Sequence, residues 1–300
     1  MSDPIRGILA MVLACTIWGL SSLFYAMLQH VPPGEVLAYR TMWSLVFFAL
    51  VLALQRRGGA IVEAIGTPRR ALLILASGLA IGCNWFGFIY SIHNGHALEA
   101  SLGYYIFPLV AVALGRLVFG ERMSGLQWLA ILLAACAVGV LTVGLGVPPW
   151  IALALAVTFS IYGVFKKRLP AGPVVSVTCE MLLLTPIAIV WVALNGTGPD
   201  AATHLLLAAS GPLTATPLIL FSYAAKRVRL STVGLVQYLN PTLQFLVATL
   251  IFLEPYTPWH AIAFPVIWVA LALYSGASIA QDRSSRRAAS RAARSGTIST

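Results

Sequence analysis

Two tyrosines stand three residues before a proline in apolar segments: Tyr105 precedes Pro108, and Tyr238 precedes Pro241. In an apolar helix, proline removes a backbone donor and crowds the preceding turn, which leaves carbonyl groups free for a ligand or water. A phenol beside such a turn can stack on an aromatic ligand and form one hydrogen bond. The pattern predicts helix breaks at both prolines and a ligand site beside both tyrosines. A simple packing kink is the alternative, which the repetition of the pattern disfavours.

Other side chains in the apolar segments could line the same pocket, because each carries a ring or a hydrogen-bonding group. The residues that we expect to bind a substrate are Trp18, Asn84, Trp85, Tyr105, Tyr162, Gln237, Tyr238 and Asn240. The alternative for the Trp and Tyr residues is the aromatic belt at a membrane surface. That alternative is expected for Tyr90 and Trp259, which lie near the ends of apolar segments.

Three charged residues lie within apolar segments: Arg40, Glu99 and Glu180. Charges inside a membrane are costly and usually functional. Glu99 begins an apolar segment near the side where Arg40 lies, so the two residues could pair, and Glu180 corresponds to Arg40 in the second half of the chain. We expect these residues to form a gate or a structural ion pair. Proton coupling is the alternative.

The sequence indicates no catalytic residues, no metal site and no cofactor. His93, His96 and Glu99 are spaced like ligands, but Gly95 interrupts them and no second set accompanies them. A GxxxxGK[ST] motif is absent, so ATP is not the direct energy source. The four cysteines follow no ligand spacing and are expected to be small buried apolar residues. We therefore predict that the protein is not an enzyme.

Composition shows which elements must position these residues. Of the 300 residues, 59% are hydrophobic and 9% are charged, which excludes a water-soluble enzyme and a disordered chain. A membrane-spanning helix needs about 20 apolar residues. We expect an all-α integral membrane protein with ten spans, at approximately 7–28, 35–54, 71–92, 98–119, 125–144, 149–167, 174–194, 203–224, 231–252 and 258–280. A basic tail at 281–300 is expected to be disordered and cytoplasmic.

Basic residues set the orientation. All Lys and Arg residues except Arg40 lie at the N-terminus, at alternate loops or span ends, or in the tail. Basic loops stay in the cytoplasm, so both termini are predicted on the cytoplasmic side of the cytoplasmic (inner) membrane. The net charge of +10 then indicates topology and attraction to anionic lipids, rather than nucleic-acid binding. The oligomeric state has no signature in the sequence.

The chain contains an internal repeat, since residues 76–121 align without gaps to 209–254. The identities include Ala76/Ala209, Ser77/Ser210, Gly78/Gly211, Phe88/Phe221, Tyr90/Tyr223, Tyr105/Tyr238, Pro108/Pro241 and Glu121/Glu254. The repeat unit is five spans, 1–146 and 147–280. Because five is odd, the second unit starts on the opposite side of the membrane. Inverted repeats let two half-structures exchange roles around one central site, which favours alternating-access transport.

Motifs distributed along the chain are similar to those of one family. They are Ile17-Trp18-Gly19, Asn84-Trp85, Leu98-Glu99-Ala100-Ser101-Leu102-Gly103-Tyr104, Gly120-Glu121-Arg122, Tyr162-Gly163, Leu230-Ser231-Thr232, Gln237-Tyr238, Pro241-Thr242-Leu243 and Ile267-Trp268-Val269-Ala270-Leu271. The chain resembles the drug/metabolite transporter superfamily, in its EamA-type, RarD-like branch. The resemblance implies a 5+5 inverted repeat in the cytoplasmic membrane that exports small metabolites, including aromatic and other hydrophobic amino acids.

The scarcity of charge in the spans constrains the substrate. A sugar phosphate or nucleotide would need several Lys or Arg residues in the cavity, whereas a zwitterion or neutral amphiphile needs only a few polar groups and aromatic walls. Export of aromatic or hydrophobic amino acids is the leading hypothesis. A drug exporter, with chloramphenicol as the compound that the RarD name suggests, is the alternative. An integral-membrane enzyme, a receptor and a structural membrane protein are the other classes.

Overall fold

The computed structural model describes residues 3–120, 123–146, 148–225, 227–228 and 236–296. These residues form helices and connecting segments, and no strand occurs among them. The helices are α1 (Asp3–Ala26), α2 (Pro33–Leu54), α3 (Gly59–Ile65), α4 (Pro68–His93), α5 (Ala97–Phe119), α6 (Gly125–Leu145), α7 (Trp150–Arg168), α8 (Pro173–Asn195), α9 (Ala201–Ala225), α10 (Leu239–Leu246) and α11 (Pro258–Gly296). A π-helical turn, Val247–Ile251, continues α10.

Helix lengths confirm a multi-span membrane protein. Within the described ranges, nine helices are long and apolar enough to cross a bilayer. They correspond to every predicted span except the ninth. In that region α10 and its π-helical turn form a shorter apolar helix over 239–251. The predicted start of the ninth span, 231–235, and the motif residues Glu121, Arg122, Leu230, Ser231 and Thr232 lie outside the described residues.

Proline and glycine stand at several helix ends. Pro33, Pro68 and Pro173 begin α2, α4 and α8, where proline loses no intrahelical hydrogen bond and its fixed φ suits a helix. Gly120 and Gly146 follow α5 and α6 with φ of 66° and 74°, a left-handed conformation that favours glycine. The spans therefore end close to where the sequence places them.

The helix break predicted at Pro108 does not occur, whereas the chain is interrupted beside Pro241. Helix α5 continues without interruption from Ala97 to Phe119 through Pro108. A single proline removes only one backbone hydrogen bond, and neighbouring bonds hold the helix together. Before Pro241, residues 236–237 are helical, Tyr238 is a turn residue and α10 begins at Leu239, so the helical conformation is interrupted one turn before this proline. An interruption therefore lies beside Tyr238 and not beside Tyr105.

Two other differences from the sequence predictions concern segments outside the predicted spans. The short helix α3 lies between α2 and α4, where a loop was expected. Residues 281–296 continue α11 as a helix, where the sequence predicts a disordered tail. The physical reason is composition, because these residues are mostly Ala, Ser and Arg without proline, and Ala and Arg favour helix strongly.

Helices from the two predicted repeats interleave rather than form separate bundles. Helix α1 packs against α9 and α10. In the predicted repeat α7 corresponds to α1, α4 to α9 and α5 to α10, and α7 likewise packs against α4 and α5. Helix α2 packs against α9 in the same way that α8 packs against α4. Three contacts join counterparts directly: α2 with α8, α5 with α10, and α6 with α11. Each half therefore supplies the packing surfaces on which the other half rests.

Two carboxylates, the fully buried Glu35 and the half-buried Glu254, hold connecting segments by hydrogen bonds at one end of the bundle. Glu254 accepts hydrogen bonds from the backbone N–H groups of Ala97 and Leu98, both at 2.7 Å, at the start of α5. A carboxylate at this place also interacts favourably with the helix dipole. Glu35, fully buried in α2, accepts hydrogen bonds from Thr197, with a distance of 2.9 Å to its hydroxyl. These bonds tie the two halves together across that end.

The start of α9 lies at the same end. Asp200 accepts a hydrogen bond of 2.8 Å from the backbone N–H of Thr203 and so caps the helix. The hydrogen bonds from Thr203 lower the pKa of the exposed Asp200 carboxyl below its usual value. The Thr203 hydroxyl lies 3.0 Å from Nε2 of His30, just before α2. The segments between α1 and α2 and between α8 and α9 therefore lie side by side.

Candidate functional site

A continuous series of aromatic rings runs through the bundle. These rings, the aromatic row, belong to Tyr25, Phe88, Tyr104, Phe159 and Tyr162. Successive ring centroids lie 5.9, 5.9, 6.0 and 6.0 Å apart. These distances fall in the range where aromatic pairs attract each other beyond simple burial. The rings come from α1, α4, α5 and α7, so the row joins helices from both predicted repeats.

Asn84 gives the middle of the aromatic row its polar character. It is 1% exposed, and its Nδ2 donates to the carbonyl of Leu155 at 2.9 Å and to Oγ1 of Thr158 at 3.2 Å. The hydroxyl of Tyr104 donates to Oδ1 of Asn84 at 3.1 Å. The structure therefore places the predicted Asn84 in a buried network. It also adds Tyr104, which the sequence analysis did not select.

A buried ion pair occupies one end of the row. Oε1 of Glu180, a residue with no exposed surface, accepts hydrogen bonds from Nζ of Lys166 at 2.6 Å and from the hydroxyl of Ser77 at 2.8 Å. The hydroxyl of Tyr162 donates to Oε2 at 3.4 Å, and Lys166 also donates to the hydroxyl of Ser176. This network joins α4, α7 and α8. Glu180 is therefore in an ion pair, as expected, with a lysine that the sequence analysis treated only as a topology signal.

Arg40 occupies the other end of the row. It is 6% exposed, and its Nε donates to Oγ1 of Thr214 on α9 at 2.9 Å. The guanidinium carbon lies 4.0 Å from the ring centroid of Trp85 and 5.4 Å from that of Tyr25, distances that permit cation–π attraction. The predicted Trp85 thus contributes by supporting a buried cation.

The expected pair between Arg40 and Glu99 does not form. Glu99 lies in the first turn of α5, and its carboxylate is 3.3 Å from Nδ1 of His96. The N-terminus of α5 and partial exposure to solvent both stabilise the Glu99 carboxylate at this position, without a cation from inside the bundle. Arg40 instead points between α1, α4 and α9. That prediction is wrong because a shared membrane side does not imply contact between side chains.

Tyr105 and Tyr238 take part in a different interface. The Tyr105 hydroxyl lies 2.7 Å from Oγ1 of Thr242, and its ring lies 6.0 Å from Phe264 and 6.3 Å from Trp268. Tyr105 is 2% exposed. Tyr238 accepts a hydrogen bond of 3.5 Å from Ser275 on α11. In the described part of the chain the two rings do not contact each other, so their geometry is that of helix packing between α5, α10 and α11.

The remaining predicted substrate residues lie apart from the aromatic row. Trp18 contacts Phe221 on α9, with centroids 6.2 Å apart. Asn240 accepts a hydrogen bond of 3.0 Å from Gln244 within α10, and Gln237 lies just before that helix. Among the residues that the structure describes, no ring contact or hydrogen bond joins these side chains to the row. They line the α1, α9 and α10 region instead.

Metal ligation has no support within the described ranges. No group of three or more His, Cys, Asp or Glu residues there is placed to hold an ion. The cysteines are free, with Cys15 and Cys179 buried and Cys83 and Cys136 exposed.

A sequence signal existed for some of the residues that the prediction missed. Tyr104 stands in the motif over Leu98–Tyr104, and Phe159 lies one helical turn before Tyr162. Lys166 lies four residues after Tyr162, on the same face of α7. Helical spacing from a selected aromatic residue would therefore have pointed to both Phe159 and Lys166.

Comparison with known proteins gives a consistent result. Residues 5–143 match the EamA-like transporter family. An uncharacterized transporter of Vibrio cholerae is 40% identical over 95% of this chain and 97% of its own length. The RarD proteins of Streptomyces exfoliatus and Escherichia coli are 42% and 37% identical, each over 90% of this chain and over 88% and 93% of their own lengths.

One solved crystal structure shares the fold. It superposes with a TM-score of 0.60 at 20% identity, over 89% of this chain and 96% of that chain. Together with the nine apolar helices and the sequence relatives, this shows a multi-pass membrane transporter. The chain therefore belongs to the EamA-like transporter family, as a RarD-like member of the drug/metabolite transporter superfamily.

Proposed function

We propose that this transporter exports small amphiphilic metabolites, above all aromatic and hydrophobic amino acids, by alternating access around the aromatic row. The observation that carries the proposal is the row itself, with Arg40 at one end and the Lys166–Glu180 pair at the other. Aromatic rings give an amphiphilic side chain a surface to stack on, and the Asn84–Tyr104 pair supplies polar groups midway. Ligand sites commonly combine apolar walls with a few polar groups in this manner.

Alternating access requires two halves that can exchange roles, which we assign to residues 1–146 and 147–280. Support comes from the repeated Ser-Gly pairs on α4 and α9. Ser77 donates to Glu180 on α8, and Gly78 packs against the same helix. In the other half, Gly211 packs against α2, the helix that carries Arg40. Equivalent glycines thus pack against equivalent helices, as a 5+5 inverted repeat would require.

The charge content of the site favours an amino acid over a phosphorylated substrate. One of the two cations near the row, Lys166, is already neutralised by Glu180. A phosphate group would need several donors from Lys or Arg residues. The aromatic row offers extended apolar contact instead, which suits a tryptophan-like or leucine-like side chain.

We place the protein in the inner membrane with both termini in the cytoplasm, without a cofactor or catalytic role. Lipids are the expected membrane partners. A crevice of about 930 Å³ between the ends of α4 and α7 is lined by Arg69, Arg70 and Arg168 above apolar residues that include Leu72 and Leu73. This combination of positive rim and apolar floor suits anionic headgroups with their acyl chains.

Substitution of Tyr104 tests the proposed site. In proteoliposomes we expect Tyr104→Leu to weaken the apparent affinity for tryptophan about fivefold, since an aromatic contact is worth roughly 1 kcal/mol. Leucine should lose less, because its contact with the row is apolar burial without ring stacking. Tyr90→Leu is the matched control, since Tyr90 is 43% exposed and lies outside the row.

Two results would contradict the proposal. Unchanged affinities in Tyr104→Leu would place the substrate elsewhere. Flux of chloramphenicol-like compounds without flux of any amino acid would favour a drug exporter instead.

A further inference from the structure

We propose that Arg40 is the group that recognises the carboxylate of the transported substrate. This inference rests on the proposed transport function and adds a specific anchor, which distinguishes acids from neutral analogues. The ligand class is a monocarboxylate with an apolar or aromatic side chain. Its carboxylate would bind the guanidinium, and its side chain would extend along the aromatic row.

Arg40 is a buried cation without an anionic partner. It is 6% exposed, and no carboxylate of the described residues lies within 4.0 Å of its nitrogens. Its Nε donates to the neutral hydroxyl of Thr214, and its two Nη groups have no hydrogen-bond acceptor in the described part of the chain. Lys166 provides the contrast, because its ammonium is fully paired with Glu180 and Ser176.

Neutral neighbours surround Arg40 on each helix that it contacts. Tyr25 comes from α1, Trp85 from α4 and Thr214 from α9. Cation–π contacts recover only part of the cost of removing a guanidinium from water. A buried charge that its own protein leaves uncompensated is a functional site by default in a membrane, and an incoming anion would complete it.

The geometry suits a carboxylate better than other anions. Trp85 supports the guanidinium at 4.0 Å, which fixes a planar group whose Nη donors match the two oxygens of a carboxylate. Tyr25 contacts both Arg40 and Phe88, so it connects the cation to the aromatic row. A ligand held at Arg40 would therefore have its side chain beside the rings of Phe88 and Tyr104.

The test compares tryptophan with tryptophanamide, which lacks the carboxylate but keeps the indole. In proteoliposomes, we expect the wild-type protein to prefer the acid at least tenfold as a competitor of labelled tryptophan. Arg40→Gln should abolish this preference, and Arg40→Lys should retain part of it, because Lys keeps the charge without the planar fork. Arg57→Gln, at an exposed basic position, is the matched control and should behave as wild type.

A second measurement uses the wild-type protein, so it tests the proposal even if Arg40→Gln does not fold. Tryptophan should raise the melting temperature of the wild-type protein in detergent, and tryptophanamide should raise it much less. Equal shifts for the two compounds, or the wild-type acid preference surviving in Arg40→Gln, would overturn the role of Arg40. Absence of flux for acid, amide and leucine alike would instead overturn the proposed transport function.

Discussion

At the scale of single residues, the Lys166–Glu180 pair illustrates how an ion pair constrains a membrane protein. Glu180 has no exposed surface, and its carboxylate joins three helices. Glu180→Gln would leave the ammonium of Lys166 buried without its counter-ion, which should lower stability by roughly 3 kcal/mol. We expect a clear fall in melting temperature in detergent.

The double variant Lys166→Met with Glu180→Leu supplies the decisive comparison. Two apolar side chains of similar size remove both charges together, so most of the lost stability should return. Glu63→Gln, at an exposed position in α3, should change stability by less than about 0.5 kcal/mol. A double variant as unstable as Glu180→Gln would show that the pair is not an isolated electrostatic unit.

The sequence indicates the buried charged residues more clearly than the aromatic residues that form the row. Arg40 and Glu180 are conspicuous because each interrupts an apolar segment. Tyr105 was selected over its neighbour Tyr104 because the repeat duplicates it at Tyr238. Helix α5 is apolar on all sides, so periodicity does not reveal how the helix is rotated about its axis. Only packing shows that Tyr104 contacts Asn84 while Tyr105 contacts Thr242.

At the scale of elements, Gly78 and Gly211 form a matched pair with different tolerances. A Cβ at Gly211 would lie 2.6 Å from the backbone carbonyl of Trp43, which cannot move without shifting α2. A Cβ at Gly78 would lie 3.3 Å from a terminal methyl of Leu184, which a side-chain rotation can accommodate. We expect Gly211→Ala to cost roughly 2 kcal/mol of stability and Gly78→Ala less than about 1 kcal/mol.

Thermal unfolding of both alanine variants in the same detergent checks this prediction. The helix-forming preference of Ala is gained equally at the two positions, so it cancels in the comparison. Gly139→Ala in α6 is the control, because no atom lies within 4 Å of its added Cβ. Equal melting temperatures for Gly78→Ala and Gly211→Ala would mean that α2 and α9 are less closely packed than the structure shows.

The sequence predicts the span boundaries, but it does not predict the helices outside the spans. Hydrophobic length and the positions of Pro and Gly place the ends of α2, α4, α5 and α8 within a few residues. The helix α3 and the helical part of the tail have no such signal, because they lie outside the long apolar segments, where helix formation depends on local propensity and neighbouring contacts. The predicted break at Pro108 does not occur, because one missing donor does not end a helix.

At the scale of the whole molecule, the two predicted repeats carry similar helix contacts around opposite charges. Helix α2 holds Arg40 and packs against the Ser-Gly pair of α9, while α8 holds Glu180 and packs against the Ser-Gly pair of α4. Opposite charges at equivalent positions mean that the two ends of the aromatic row differ chemically. A substrate carboxylate would therefore be attracted to the Arg40 end of the row, whereas the Lys166–Glu180 pair at the other end is already neutralised.

The inverted relation between the halves can be tested with two equivalent positions. Gln55 follows α2 and Asn195 ends α8; both are exposed, and they are separated by the same number of residues as Arg40 and Glu180. In a parallel repeat these positions would face the same side of the membrane, whereas in an inverted repeat they face opposite sides. The basic residues Arg56 and Arg57 predict that Gln55 is cytoplasmic.

Cysteine labelling decides between the two arrangements. The four native cysteines are first replaced by Ser or Ala, so that each variant carries a single introduced thiol. In intact cells, a membrane-impermeant maleimide should label Asn195→Cys and not Gln55→Cys, while both should react after the membrane is opened. Labelling of both positions from outside would contradict the 5+5 inverted repeat. Labelling of Gln55→Cys alone would keep the repeat but reverse the predicted orientation, because the basic loops would then lie outside, contrary to the usual preference of basic loops for the cytoplasm.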